Sequence, residues 1–200
     1  MAVQLKPREV ESRLFCMSKF WGDPDMPADM PYPMMKYTVD GKEYEYPLTF
    51  VCQLDCADLY PFIGDVRFPE EGMLYFFAAL DPYLGYDAPG CGPGEWPKAA
   101  SVVKYTKLVN PETFESYESL DEEGESTTNL PWAIDFAACE PGEDVFRMFG
   151  KSEEGQVELL RLISYKEMDL DFGQAHELVF SISEKDLGFG NWKKHQVFLR

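Results

Sequence analysis

Six apolar runs frame this chain, each only six to ten residues long, with turn-forming residues between most of them. They are PLTFVCQLDC (Pro47 to Cys56), GMLYFFAAL (Gly72 to Leu80), SVVKYTKLV (Ser101 to Val109), VELLRLIS (Val157 to Ser164), HELVFSIS (His176 to Ser183) and HQVFLR (His195 to Arg200). Runs this short, rich in β-branched and aromatic residues, suit strands rather than helices of three turns. In the first, Leu48, Phe50, Cys52 and Leu54 fall on one face, and Thr49, Val51, Gln53 and Asp55 on the other. SRLFCMS (Ser12 to Ser18) is a seventh candidate. Helix signals are brief. Ser183 caps a turn or two that Gly188 and Gly190 end, Asp55 caps a single turn stopped before Pro61, and PGEDVFRMFG (Pro141 to Gly150) suits a short helix. The pattern predicts a mainly β fold, α+β at its margin, with a few short helices.

The length of 200 residues fits one domain with a core that needs no disulfide or metal. The five cysteines (Cys16, Cys52, Cys56, Cys91 and Cys139) lack the spacing of a zinc or redox motif, and their odd number argues against a disulfide framework. They are expected to be reduced and mostly buried. The opening MAVQLKPREVESR has no signal-peptide apolar run, and no stretch is long and apolar enough to cross a membrane as a helix. A cytoplasmic location is expected. The net charge of −18 repels phosphate backbones and speaks against direct nucleic-acid binding. It is suited to a solvated surface or to a basic partner.

Chemistry-bearing motifs fail on inspection. Asp171-Phe172-Gly173 lacks the rest of a kinase signature and reads as a turn with Gly173 at a special backbone angle. From Asp169, the calcium-loop positions that require Gly and Glu hold Gln174 and Phe180. Gly90 to Gly94 contains Pro93 and lacks the lysine of a phosphate loop. The two histidines, His176 and His195, have no metal-ligand spacing, although a spatial Cys–His pair stays open. Tyr75, Phe76 and Phe77 are expected in the core. No cofactor and no metal are expected; the acids between Glu112 and Glu125 are the one place where a hard cation could be held.

SKFWGDPDMPADMPYPMM (Ser18 to Met35) holds four prolines and four methionines. Its prolines predict an ordered loop with neither helix nor central strand. Asp81 to Lys98 and Asn110 to Pro131 are further long irregular connections, and loops of that length tend to carry function.

In order, SKFWGDPDMP, Tyr32-Pro33, PLTFVCQLDCADL and FPEEGMLYFF (Phe68 to Phe77) resemble the signature of the YwqG-like family of mostly bacterial intracellular domains, and Leu159 to Trp192 resembles its closing segment. Trp21 stands where that pattern has Gly, and Tyr32 where it has Trp. The resemblance implies roll-like antiparallel sheets in two related halves and transfers no activity and no catalytic residue. A loose internal echo agrees: LTFVCQL then GMLYFF in one half, ELLRLIS then HELVFSI in the other. A single domain is expected, with halves of about 10–109 and 131–200 joined by an acidic segment, 110–130.

The expected function is a non-enzymatic intracellular binding protein with an acidic surface, immunity-like towards a basic partner. The alternative is a small-ligand-binding protein or enzyme with a pocket between the two β halves. In either case Lys19, Trp21, Asp23, Tyr32 and Gln53 are the expected binding residues, lining a groove whose lip is the proline-rich loop.

Overall fold

The computed structural model describes residues 2–118, 129–140, 143–151 and 155–200. In chain order the strands are β1 (Ala2–Glu9), β2 (Lys19–Phe20), β3 (Asp25–Pro27), β4 (Met34–Val39), β5 (Lys42–Pro47), β6 (Thr49–Asp55), β7 (Met73–Ala78) and β8 (Gly94–Glu95). They continue as β9 (Ser101–Thr106), β10 (Phe114–Ser116), β11 (Trp132–Cys139), β12 (Arg147–Met148), β13 (Gly150–Lys151), β14 (Gln156–Ile163), β15 (Glu177–Ser183) and β16 (Gln196–Leu199). Two α-helices lie among the described residues, α1 (Cys56–Ile63) and α2 (Glu184–Gly188). No helix among these residues is long and apolar enough to cross a membrane.

The fold is mainly β, one large curled antiparallel sheet. Its path runs β8-β16-β15-β14-β12-β1-β11-β2-β6-β7-β9, with β13 attached to β14. The two ends of this path belong to one stretch of chain. Five residues, Trp96 to Ala100, separate β8 from β9, and they reach about 20 Å at full extension. The sheet must therefore curl until its ends meet. Inside the curl, Phe76 of β7 and Phe180 of β15 pack edge to face, with ring centroids 5.3 Å apart. Both rings are fully buried, as are Tyr75 and Phe77. Each such side chain contributes about 1.5–3 kcal/mol through burial.

The six apolar runs all form strands (β6, β7, β9, β14, β15 and β16). Two units repeat a local plan. β6 leads into α1, whose first turn is capped by Asp55 accepting from the Ala57 N–H at 2.9 Å, and the chain returns as β7 beside β6. β15 leads into α2, capped by Ser183 accepting from the Asp186 N–H at 3.0 Å, and the chain returns as β16 beside β15.

Four local expectations need correction. Ser12 to Ser18 is irregular, and the strand at this end of the chain is β1. Its pattern was hidden because only Ala2, Val3 and Leu5 are buried hydrophobics and Pro7 sits within it. Pro7 is tolerated because that edge of β1 is covered only as far as Leu5, whose N–H donates to the Phe146 carbonyl at 2.8 Å, and at Pro7 no ladder N–H is needed. The segment 143–150 holds β12 and the start of β13 rather than a helix; residues 141–142 lie outside the described set. Pro61 does not stop α1, which runs on to Gly64 at φ +63°. Ser18 to Met35 does contain a central strand: β2 lies between β11 and β6, and its two ladder residues precede every proline of the segment.

The closure is sealed by a side-chain bond. His195 Nδ1 lies 2.8 Å from the Trp192 carbonyl, which can only accept, so Nδ1 carries the proton. Nε2 then accepts from the Ser101 hydroxyl at 3.0 Å, joining the start of β9 to the residue before β16. Burial holds the imidazole below its ordinary value of 6.5, against the hydrogen bonds to Trp192 and Ser101, and nearby Lys98 adds to the lowering. The unfolded chain therefore takes up a proton at a pH where the folded one does not. Stability from this group is full above about 6.5 and is lost as pH falls through the lower folded-state value. Urea titrations should show wild-type stability declining as pH falls below about 6.5, and His195→Gln should flatten this part of the curve. A wild-type profile that is flat there would contradict the assignment.

Candidate functional site

Beyond the short β3–β10 ladder the proline-rich segment has little regular backbone pairing, so side chains help to hold it. Asp25, in β3, supplies most of the hold. Its carboxylate is almost fully buried and accepts from Lys19 Nζ at 2.7 Å, the Cys16 N–H at 2.9 Å, Gln53 Nε2 at 2.9 Å and the Ser116 hydroxyl at 2.6 Å. Its backbone is held too: its N–H donates to Gln53 Oε1 at 2.9 Å, and its carbonyl accepts from the Tyr75 hydroxyl at 2.8 Å. Lys19 also donates to the Leu14 carbonyl at 3.0 Å, and Gln53 to the Met17 carbonyl at 2.9 Å. A buried ion pair with this many partners fixes geometry more than it adds stability.

Beside this clasp lies a cavity of about 450 Å³, within the range of small-molecule sites. Four segments build its walls: Trp21, Gly22, Pro24 and Tyr32 from the proline-rich loop, Tyr46 to Phe50 from the end of β5 and the start of β6, Asp81 to Asp87 after β7, and Tyr117 with Asn129. Among the described residues six aromatic rings line it, together with the carboxylates of Asp81 and Asp87, and no basic residue does. Asp81 accepts from the Tyr46 hydroxyl at 2.7 Å and from the Thr49 hydroxyl at 2.6 Å. Tyr32 donates to the Leu48 carbonyl at 2.8 Å and packs edge-on to Phe77. Burial, reinforced by Asp81 and Asp23, pushes the Tyr32 phenol well above its ordinary value, and burial with the bond to Asp81 does the same for Tyr46. Both rings stay neutral at physiological pH.

Trp21 has φ +52° and Gly22 φ +73°. A left-handed angle costs a bulky residue about 1–2 kcal/mol, and Gly would avoid that cost. The indole nevertheless occupies the cavity wall. Its Nε1 is buried without a partner, as is Oδ1 of Asp23.

Of the five expected binding residues, Trp21 and Tyr32 line the cavity. Lys19 and Gln53 do not: both are buried in the Asp25 clasp beneath the loop. Asp23 is outside the lining, near enough to act on Tyr32 through its charge. The cavity does not lie between the expected halves of 10–109 and 131–200, because its lining among the described residues falls between 21 and 129. A second cavity, of about 410 Å³, lies between the β4–β5 hairpin and residues 89–100. Sequence reading missed Tyr46, Asp81, Tyr86 and Tyr117. The lengths of the Asp81 to Lys98 and Asn110 to Pro131 connections were the available signal for Asp81, Tyr86 and Tyr117.

The cysteines are free, and burial pushes all five thiols up, Cys16 to about 11 and Cys56 to about 12. None has the lowered value of an activated nucleophile. Among the described residues no three His, Cys, Asp or Glu side chains converge as metal ligands. Most of the Glu112 to Glu125 acids lie outside the described residues.

The family model described as a domain of unknown function, DUF1963, matches residues 18–143, which include every residue that lines the cavity. No curated protein matches the chain.

The clasp predicts a specific stability pattern. Lys19→Met should cost about 3–5 kcal/mol in urea unfolding, because it leaves the Asp25 carboxylate buried without its cation. Adding Asp25→Leu to that variant should cost less than the sum of the two single changes. Strict additivity would show that the two groups are not coupled.

Proposed function

The chain belongs to the DUF1963 family of domains, and on that premise we propose that it is a non-enzymatic binding protein whose ligand site is the aromatic cavity. The observation that carries this reading is the 450 Å³ space lined by six rings and two carboxylates. Such a lining supplies contact area and orientation rather than a nucleophile with its base. The buried Ser101–His195 pair lines neither cavity. Strain at Trp21 supports the same site, since backbone strain clusters where function requires it.

Within this reading the chain is a YwqG-like, cytoplasmic, single-domain protein of two related halves. The support for the halves is the shared strand, capped helix and returning strand at β6-α1-β7 and β15-α2-β16. This equivalence matches β6 with β15, one strand away from the register of the sequence echo. A second reading keeps the immunity-like role towards a basic protein, with no nucleic acid and no membrane as partners; its support is the net charge of −18.

A thermal-shift screen of small metabolites tests the first reading. A true ligand at a hundredfold excess over Kd should raise Tm by about 5–10 °C. The gain should vanish in the double variant Tyr86→Ala with Tyr117→Ala. A library without any stabilising compound would sink the cavity reading. Affinity capture washed at low and then high salt tests the second: a stoichiometric basic protein lost at high salt is expected, and an empty bait under both washes rejects it.

A further inference from the structure

We propose that the cavity recognises an alkylated ammonium group, held by ring faces around the carboxylate of Asp81; the inference rests on reading the cavity as the ligand site. It follows from which groups in the lining are already used. Four tyrosines line the space, and every one spends its hydroxyl on the protein. Tyr32 donates to the Leu48 carbonyl, Tyr46 to Asp81, Tyr86 to Asn129 Oδ1 at 3.2 Å and Tyr117 to the Met30 carbonyl at 3.3 Å. Thr49 also donates to Asp81. The hydroxyl donors that a sugar, a phosphate or a carboxylate would need are committed elsewhere.

What the cavity lining supplies is two carboxylates and six aromatic rings. Asp81 and Asp87 are in the lining, and among the described residues no Lys, Arg or His lines it. The net charge of −18 gives the surrounding surface the same sign. An anion is repelled, and a neutral apolar molecule leaves the carboxylate field unused. A cation fits both features, since aromatic faces attract positive charge, Trp most strongly. The two bonds that Asp81 accepts fix its carboxylate against the wall, so its charge is already oriented. An alkylated ammonium spreads its charge over methyl groups and asks for few hydrogen-bond acceptors, whereas a guanidinium presents five donors to be satisfied. Trp21 supports the assignment independently. Its large ring stands in this wall at a backbone angle suited to Gly, a local cost that is met where the ring lines the cavity.

Isothermal titration of the full chain with choline and with its uncharged isostere 3,3-dimethylbutan-1-ol separates charge from shape. Choline should bind one to one and about tenfold or more tighter than the isostere. Asp81→Asn should weaken choline by about tenfold and leave the isostere unchanged. If that variant fails to fold, Tyr86→Leu on the exposed rim should weaken choline about three- to tenfold. N-acetyl-trimethyllysine amide, titrated in parallel, distinguishes a side-chain source of the group from a free one, and tighter binding of either ammonium than of the isostere supports the proposal. Equal binding of choline and isostere overturns it and leaves the cavity reading standing. So does a failure of both ammonium probes when a screened neutral compound fills the cavity. Failure of every compound removes both.

Discussion

One stretch of chain, Gly94 to Thr106, pairs with β16 at its start and with β7 at its end. A sheet of this length would otherwise twist open and present two long edges. Because both ends belong to the same thirteen residues, the sheet has to roll, and one face becomes an interior. The rest follows from that geometry. β7 is buried along its whole length, and side chains from opposite ends of the sheet path meet, as Phe76 and Phe180 do. His195 and Ser101 sit at the seam, where a buried polar bond replaces the ladder.

The outside of the roll is organised by a different principle. The proline-rich segment leaves the sheet after two ladder residues and cannot rejoin it through its own backbone. A buried carboxylate solves this by accepting bonds from four separate places in the chain. Asp25 thus ties the loop to β2, to β6 and, through Ser116, to β10. With the clasp in place, Trp21 and Tyr32 stand at fixed positions facing the loop after β7, and the cavity is the space left between them. Its rigidity comes from a polar core beneath it rather than from regular structure around it.

The strands that carry the core were legible because burial imposes a short-period pattern and turns bound it. β1 was not legible, since only three of its eight residues are buried and its Pro7 is acceptable only for a reason of sheet topology. The central strand β2 was hidden by the prolines that follow it. At the site, Trp21 and Tyr32 stood out as aromatic residues in a stiff loop. Lys19 and Gln53 looked like surface ligands because long polar side chains are usually exposed. What buried them was Asp25, a partner whose position no spacing rule supplies. Tyr46, Asp81 and Tyr117 come together from segments far apart in sequence, through the pairing of β6 with β7 and of β3 with β10.

The roll also bears on how the chain is made. β1 takes Leu5 into a ladder opposite Phe136, and β8 has no partner until Phe198 and Leu199 exist. During vectorial synthesis the early strands emerge long before the residues that cover them. β6, β7 and β9 can pair as a local meander, but their apolar faces wait for β15 and β16. Topologies with such distant pairings fold slowly and expose strand edges on the way. For this protein the passage from ribosome to closed roll is therefore the aggregation-prone stage, and residues near the end of the described chain act as its latch.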